Sequence, residues 1–196
     1  MGGSVMASII NATTTGLTVT PDNSGQLTLS ANGVTALTAN TAGNINFAKQ
    51  PTIGGVEWPA FSAYITTQTV SGDTATKMQF ATENFDTNNN YNTSNYRFTP
   101  TVAGYYLVTA SSYFSSYSGG AFVNLTIYKN GTSFQEVHRI WPGTNASTIG
   151  GSVIVFCNGS TDYIEAYWYS AGGSSVLVSN NGSALSHFDA CLLRGQ

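Results

Sequence analysis

Oxygen-bearing side chains at alternate positions are the first candidates for chemistry: the run Asp86-Thr-Asn88-Asn-Asn90-Tyr-Asn92 contains Asp-x-Asn-x-Asn, which can ring a hard cation. The rest of a helix-loop-helix calcium loop is absent, because Tyr91 and Arg97 stand where Gly and Glu are needed. The reading is a polar loop with no metal ligands. His138 and His187, the only histidines, lack the short-range ligand spacing of a zinc site. Cys157 and Cys191 lie in apolar strand-like surroundings and are expected to be buried thiols without a disulfide. Serines are abundant, but no Gly-x-Ser-x-Gly elbow occurs, and the carboxylates are scattered among separate segments. Glu136, Asp162 and Glu165 read as surface or turn residues. No catalytic residue and no cofactor are assigned, and an enzyme is not expected.

Binding chemistry fits better. The stretches 115–120, 141–145 and 170–174 combine single aromatics with amides and hydroxyls, the mixture that stacks on sugar rings and hydrogen-bonds their hydroxyls. Trp141, Tyr117 and Asn145 are the candidate ligand-binding residues.

Composition narrows the partners. Charged residues make up 8% of the chain, against roughly 25% in an average soluble domain, so neutral polar groups must solubilise it. Six Lys and Arg at a net charge of −3 provide no basic stripe, which disfavours nucleic acid. No apolar run of about 20 residues could span a bilayer, and the first residues lack the basic start and apolar core of a secretory signal. Three Trp, eleven Tyr and ten Phe at so small a net charge argue for a folded chain.

The elements that must position these residues are strands. No window shows a capped 3.6-residue apolar period, so an all-β architecture is expected. Residues 16–50 break into short strand-like pieces, punctuated by Gly16, Gly25, Gly33 and Gly43, each too short to bury an apolar face alone. The turn-rich stretch 51–55 ends this N-terminal arm (residues 1–55), and a head occupies residues 56–196. Asn130-Gly131 is a two-residue hairpin turn of the type that needs positive φ, and Asn158-Gly159 and Asn181-Gly182 repeat the signal. Gly104-Tyr-Tyr-Leu-Val108 is apolar on both faces of its strand, so something must cover the second face. In Tyr163-Ile-Glu-Ala-Tyr-Trp-Tyr169, Ile164, Ala166 and Trp168 suit the core and leave Tyr163, Tyr167 and Tyr169 outside. With Tyr106, these three are the expected subunit contact.

The order Phe80-x5-Asp86-x4-Tyr91-Asn92, followed by Phe98-Thr-Pro100-x3-Gly104-Tyr105-Tyr106, resembles the signature of complement C-one-q-like globular heads, relatives of the tumour-necrosis-factor jelly rolls. Trp58 to Ala63, Val123 to Gly131, Asp162 to Trp168 and Ser186 to Leu193 continue the resemblance. It implies an antiparallel jelly-roll sandwich and a homotrimer that binds other molecules. The arm, ending in Asn46-Phe-Ala-Lys-Gln-Pro-Thr-Ile-Gly-Gly55, looks like segments that precede the terminal domains of bacteriophage fibre and appendage proteins. Together the resemblances imply a virion structural protein assembled in the host cytoplasm: a short fibre, fibre tip or appendage. Its arm would trimerise and hold other virion proteins, and its head would adhere to a host-surface carbohydrate. The alternative is a capsid or tail decoration protein with no receptor of its own.

Overall fold

Period-two alternation, β-branched and aromatic content, and Asn-Gly turns leave the chain with strands alone. In the computed structural model no helix occurs among the described residues, which are 18–21, 27–31, 33–39, 42, 44–47, 58–115, 117, 122–172, 175–180 and 185–195. The chain divides into two compact units, Met1–Thr52 and Ile53–Gln196. The turn-rich stretch 51–55, most of the stretch 115–120, and Asn181-Gly182 lie outside the described residues.

In the first unit, β1 (Thr18–Pro21), β2 (Leu27–Ala31), β3 (Val34–Ala39) and β4 (Ile45–Phe47) form an antiparallel meander in chain order. The strand-like pieces of the sequence therefore pair with one another. Their register sets Val19, Leu29, Leu37 and Phe47 opposite one another across all four strands.

The second unit holds β5 (Ala60–Tyr64), β6 (Thr67–Val70), β7 (Thr76–Lys77), β8 (Thr82–Asp86), β9 (Tyr91–Asn92), β10 (Arg97–Phe98) and β11 (Ala103–Phe114). It continues with β12 (Val123–Lys129), β13 (Thr132–Ile140), β14 (Ser147–Asn158), β15 (Ile164–Ser170), β16 (Val176–Ser179) and β17 (His187–Gly195). One antiparallel sheet runs β13-β12-β15-β10-β9, with β7 on β15. The other runs β6-β16-β11-β17-β5-β8, with β14 paired along the whole of β11. The inward side chains of both sheets make one core.

Aromatic rings dominate that core. Phe61 stacks on Tyr91 at 4.5 Å and on Phe98 at 4.6 Å, and Phe188 meets it edge-on at 5.1 Å. Buried hydroxyls need partners, and the Tyr91 hydroxyl donates to the Phe80 carbonyl at 2.8 Å. Tyr106 belongs to the same cluster. It is fully buried against Phe98 and donates its hydroxyl to the Val102 carbonyl at 2.7 Å. Its expected place in a subunit contact is therefore corrected: on β11 the outward residue of the pair is Tyr105. Cys157 is buried as expected, and desolvation pushes its thiol up to about 12, but Cys191 points outward and is exposed.

Two local features shape the sandwich edge. Asn130 and Gly131, at φ 53° and 75°, close the β12–β13 hairpin as the sequence suggested. Asn158 instead accepts the amides of Ser160, Thr161 and Asp162 on its side-chain oxygen, so this second Asn-Gly pair braces a loop. Between Leu125 and Thr126 the β12–β13 register slips, leaving Val137 unpaired as a bulge that packs against the core. Gly151 of β14 lies beneath it: an added Cβ would stand 2.5 Å from the Val137 carbonyl oxygen.

Removing the central ring should be felt throughout. Phe61→Ala is expected to lose about 3–5 kcal/mol in denaturant unfolding, and Gly151→Ala about 1–3 kcal/mol from the forced shift of β13. A Phe61→Ala loss below about 1 kcal/mol would refute the central position of this ring.

Candidate functional site

The two sheets present outer faces of different kinds. On the β11 side, the register places Tyr105 and Leu107 beside Phe156 and Ile154 of β14, with Cys191 of β17, then Ala60 of β5, across from Leu107. Ile154 is 56%, Phe85 51% and Tyr105 45% exposed, a contiguous apolar area. A groove of about 310 Å³ runs through it, lined mainly by apolar atoms of Ala60, Phe85, Leu107 and Cys191, with Asp189 at one end. The expectation that β11 is apolar on both faces is thus met, and its second face is the exposed one. Further along, the same face turns polar: the Thr109 and Ser152 hydroxyls meet at 2.9 Å, and the His187 Nδ1 pairs with the Asp189 carboxylate.

On the β12–β15 side, Ile164, Ala166 and Trp168 point into the core, and Tyr163, Tyr167 and Tyr169 stand outside. Each outer ring has a partner from its own chain. Tyr167 stacks on Tyr128 at 3.9 Å, Tyr169 meets Phe122 at 5.8 Å, and the Arg97 guanidinium lies 4.1 Å over Tyr163. Phe122 also meets Trp141 at 5.8 Å, so the aromatic series continues to the exposed loop.

Charge on this face is held in ion pairs. Glu165, in the middle of the tyrosine row, is fully buried rather than a surface residue, and one of its oxygens takes both Lys77 at 2.5 Å and Arg97 at 2.8 Å. Its other oxygen has no hydrogen-bond partner among the described residues. Glu136 accepts two bonds from Arg139 and one from the Asn124 amide at 2.6 Å. Hydrogen bonding by Arg139, opposed by partial burial and reinforced by Asn124, holds its carboxyl below the usual range. The Val137 bulge lets Glu136 and Arg139, three residues apart, share one face of their strand.

The remaining candidates separate. Trp141, 68% exposed, and Asn145, also exposed, stand on the β13–β14 connection. Tyr117 is buried, and its hydroxyl donates to the Ala171 carbonyl, so it anchors its loop and cannot stack on a ligand. Asp86 turns its oxygens to the backbone amides of Asn88 and Tyr91 at 3.2 and 2.6 Å, bracing the loop from within. Beside that loop lies a polar hollow of about 440 Å³, lined by Glu83, Asn89, Asn92, Thr93 and Asn95 among others. Several of its amides already serve its own turns, Asn92 accepting from Ser94 and Asn95.

Comparison with known proteins agrees with this geometry. No family model matches the chain. Over 121 residues it is 31% identical to a curated protein, "Phage-like element PBSX protein XkdV" of Bacillus subtilis (strain 168). The match takes in 57% of this chain but only 18% of that protein's length. Among solved structures, the globular domain of zebrafish complement 1qA protein superposes with a TM-score of 0.51 at 15% identity, covering 71% of this chain and 100% of that one. The Eiger tumour-necrosis-factor structure from S. frugiperda gives 0.52 at 11% identity, over 71% and 94% of the two chains. The second unit therefore has the jelly-roll fold of complement C-one-q and tumour-necrosis-factor globular domains.

The His187–Asp189 pair makes stability depend on pH in one direction. The Asp189 hydrogen bond raises the His187 pKa above its ordinary value against the opposing effect of burial. Its contribution is full below the unfolded pKa of about 6.5 and is lost as pH rises through the folded value. The thermal midpoint of the wild type should accordingly fall toward that of His187→Gln as pH rises above about 6.5. Parallel curves for the two proteins would remove the pair from the stability of the fold.

Proposed function

We propose that this chain is a structural protein of a bacteriophage virion, a short fibre, fibre tip or appendage, that forms a homotrimer and adheres through its head to carbohydrate on the host surface. The observation that carries the reading is the contrast between the two outer faces. One is apolar and exposed, which suits contact between identical chains, whereas the other is aromatic and polar with its charges paired, which suits a hydrated, uncharged ligand. The phage-element relative supports the virion setting, and the fold supports the trimer that the family resemblance implies.

The subunit contact is best placed on the β11–β14 face, through Tyr105, Leu107, Ile154 and Phe85. The tyrosine row is the weaker candidate, because its rings already pack against Tyr128, Phe122 and Arg97. The arm, residues 1–55, would hold other virion proteins. No catalytic role is assigned, since Glu136, Asp162 and Glu165 all have their charge engaged by Arg139, by Lys129 and Asn130, and by Lys77 and Arg97.

Light scattering should give a mass near three chains for the wild type. The double substitution Tyr105→Asp, Ile154→Asp should give one, with its far-ultraviolet dichroism unchanged; a trimer that survives it would move the contact elsewhere. Fluorescently labelled wild type should bind intact host cells and slow phage adsorption when added in excess. Absence of binding to cells together with normal incorporation into particles would favour a decoration role instead.

A further inference from the structure

The outer face of the β12–β15 sheet is not flat. Asn124 and Thr126 point outward, yet are only 8% and 9% exposed, because the taller side chains of Tyr128, Tyr167 and Tyr169 rise around them. Register explains the arrangement: Asn124 lies opposite Tyr169 and Thr126 opposite Tyr167 on β15, while β13 supplies Arg139 and Glu136 at the corresponding positions. The result is a cleft of about 210 Å³ with a short hydrogen-bonding floor and aromatic walls, closed on the β13 side by Ser133 and Glu136. Sites for drug-sized ligands usually run from roughly 300 to 1,000 Å³, so this one suits a single ring.

We propose that this cleft is the principal saccharide subsite of the head, taking one uncharged pyranose of a host-surface glycan, with following units along Tyr169, Phe122 and Trp141. The inference rests on the adhesion reading and adds to it the place, the charge and the length of the ligand. Three features of the cleft select that chemistry. The Asn124 amide nitrogen is held by Glu136 at 2.6 Å, which fixes the side chain in the cleft lining and leaves its carbonyl oxygen, a strong acceptor, as the group free to meet a ligand hydroxyl. The hydroxyls of Thr126, Ser133, Tyr167 and Tyr169 have no side-chain partner among the described residues and can both donate and accept. Arg139 is engaged by Glu136 through two bonds, and the ionised Glu136 that lines the cleft repels a carboxylate or sulfate. Outside the cleft, Tyr169, Phe122 and Trp141 follow one another at spacings of 5.8 Å, with the Arg139 guanidinium 4.1 Å over Phe122, a series of rings leading to the loop.

The experiment titrates full-length protein with neutral gluco-, galacto- and manno-configured oligosaccharides of one to four units, N-acetylated forms included, beside sialylated and uronate-bearing ones. Saturation-transfer NMR reads the contact and calorimetry the affinity. A neutral series should bind, with affinity rising with length. Asn124→Ala should weaken every length by about tenfold, the loss of one strong buried hydrogen bond. Thr126→Leu, which fills the floor without removing a bond of the fold, should do the same and stands in if Asn124→Ala is poorly folded. Trp141→Ala should weaken only the longer ligands, and Thr93→Ala in the separate polar hollow should weaken none. Unchanged binding by Asn124→Ala and Thr126→Leu, with loss in Trp141→Ala alone, would overturn the cleft and leave adhesion at the loop. Binding of anionic sugars only would overturn the proposed ligand class. Cell binding without any saccharide binding would overturn the subsite while keeping adhesion, and binding to neither would overturn both.

Discussion

The stack of Phe61 between Tyr91 and Phe98, with Phe188 set against its edge, is the contact on which the rest of the head depends. It draws residues from β5 and β17 of one sheet and from β9 and β10 of the other into a single cluster, and Tyr106 of β11 joins through Phe98. Ring pairs of this kind add roughly 0.5–1.5 kcal/mol each beyond their burial, and they also fix orientation. Once Phe61, Phe188 and Tyr106 point inward, period-two alternation commits Ser62, Asp189, Tyr105 and Leu107 to the outside. The character of both outer faces is therefore a consequence of how the rings meet inside.

That dependence explains what the sequence could reveal. Six aromatic residues that carried the resemblance, Phe61, Phe80, Tyr91, Phe98, Tyr106 and Phe188, are members of the buried core. A signature made largely of packing and turn residues specifies a fold and carries no information about a ligand. The inside and outside of β15 were legible because Ile164, Ala166 and Trp168 alternate with Tyr163, Glu165, Tyr167 and Tyr169 in the sequence. Tyr105 and Tyr106 were not, since two adjacent tyrosines leave parity undecided, and only the Val102 carbonyl beside the Tyr106 hydroxyl settles which one turns inward. Tyr117 sits among Gly and Ser, with no period to show that its hydroxyl reaches Ala171, 54 positions away.

The charged residues were harder still. Glu165 looks in sequence like the one soluble position among aromatics, whereas the fold closes Arg97, 68 positions away, and Lys77 over it. A buried ion pair costs desolvation that its attraction only partly recovers, so this cluster contributes less to stability than to placing Arg97 over Tyr163. Glu136 and Arg139 were hidden by the bulge at Val137, because a regular strand would set residues three apart on opposite faces. The one sign of that extra residue in the sequence is Gly151, whose missing side chain lets β13 approach β14, whereas Gly150 clears Ser111 of β11.

The low charge of the chain acquires a physical sense from this arrangement. Lys77, Arg97, Lys129 and Arg139 each lie within 2.9 Å of a carboxylate, four cations held by the three carboxylates Glu165, Asp162 and Glu136, so none of them stands as an isolated charge. An unpaired surface charge holds a tight hydration shell that an uncharged ligand could displace only at a cost. Tyrosine rings, amides and hydroxyls release water more readily and can re-form their hydrogen bonds to a hydroxyl-rich ligand. Charge pairing by itself would give an inert wall. What distinguishes this sheet face is that Glu136, paired with Arg139, also fixes the Asn124 amide, so the interaction that silences the charge also holds a neutral polar side chain in the cleft lining.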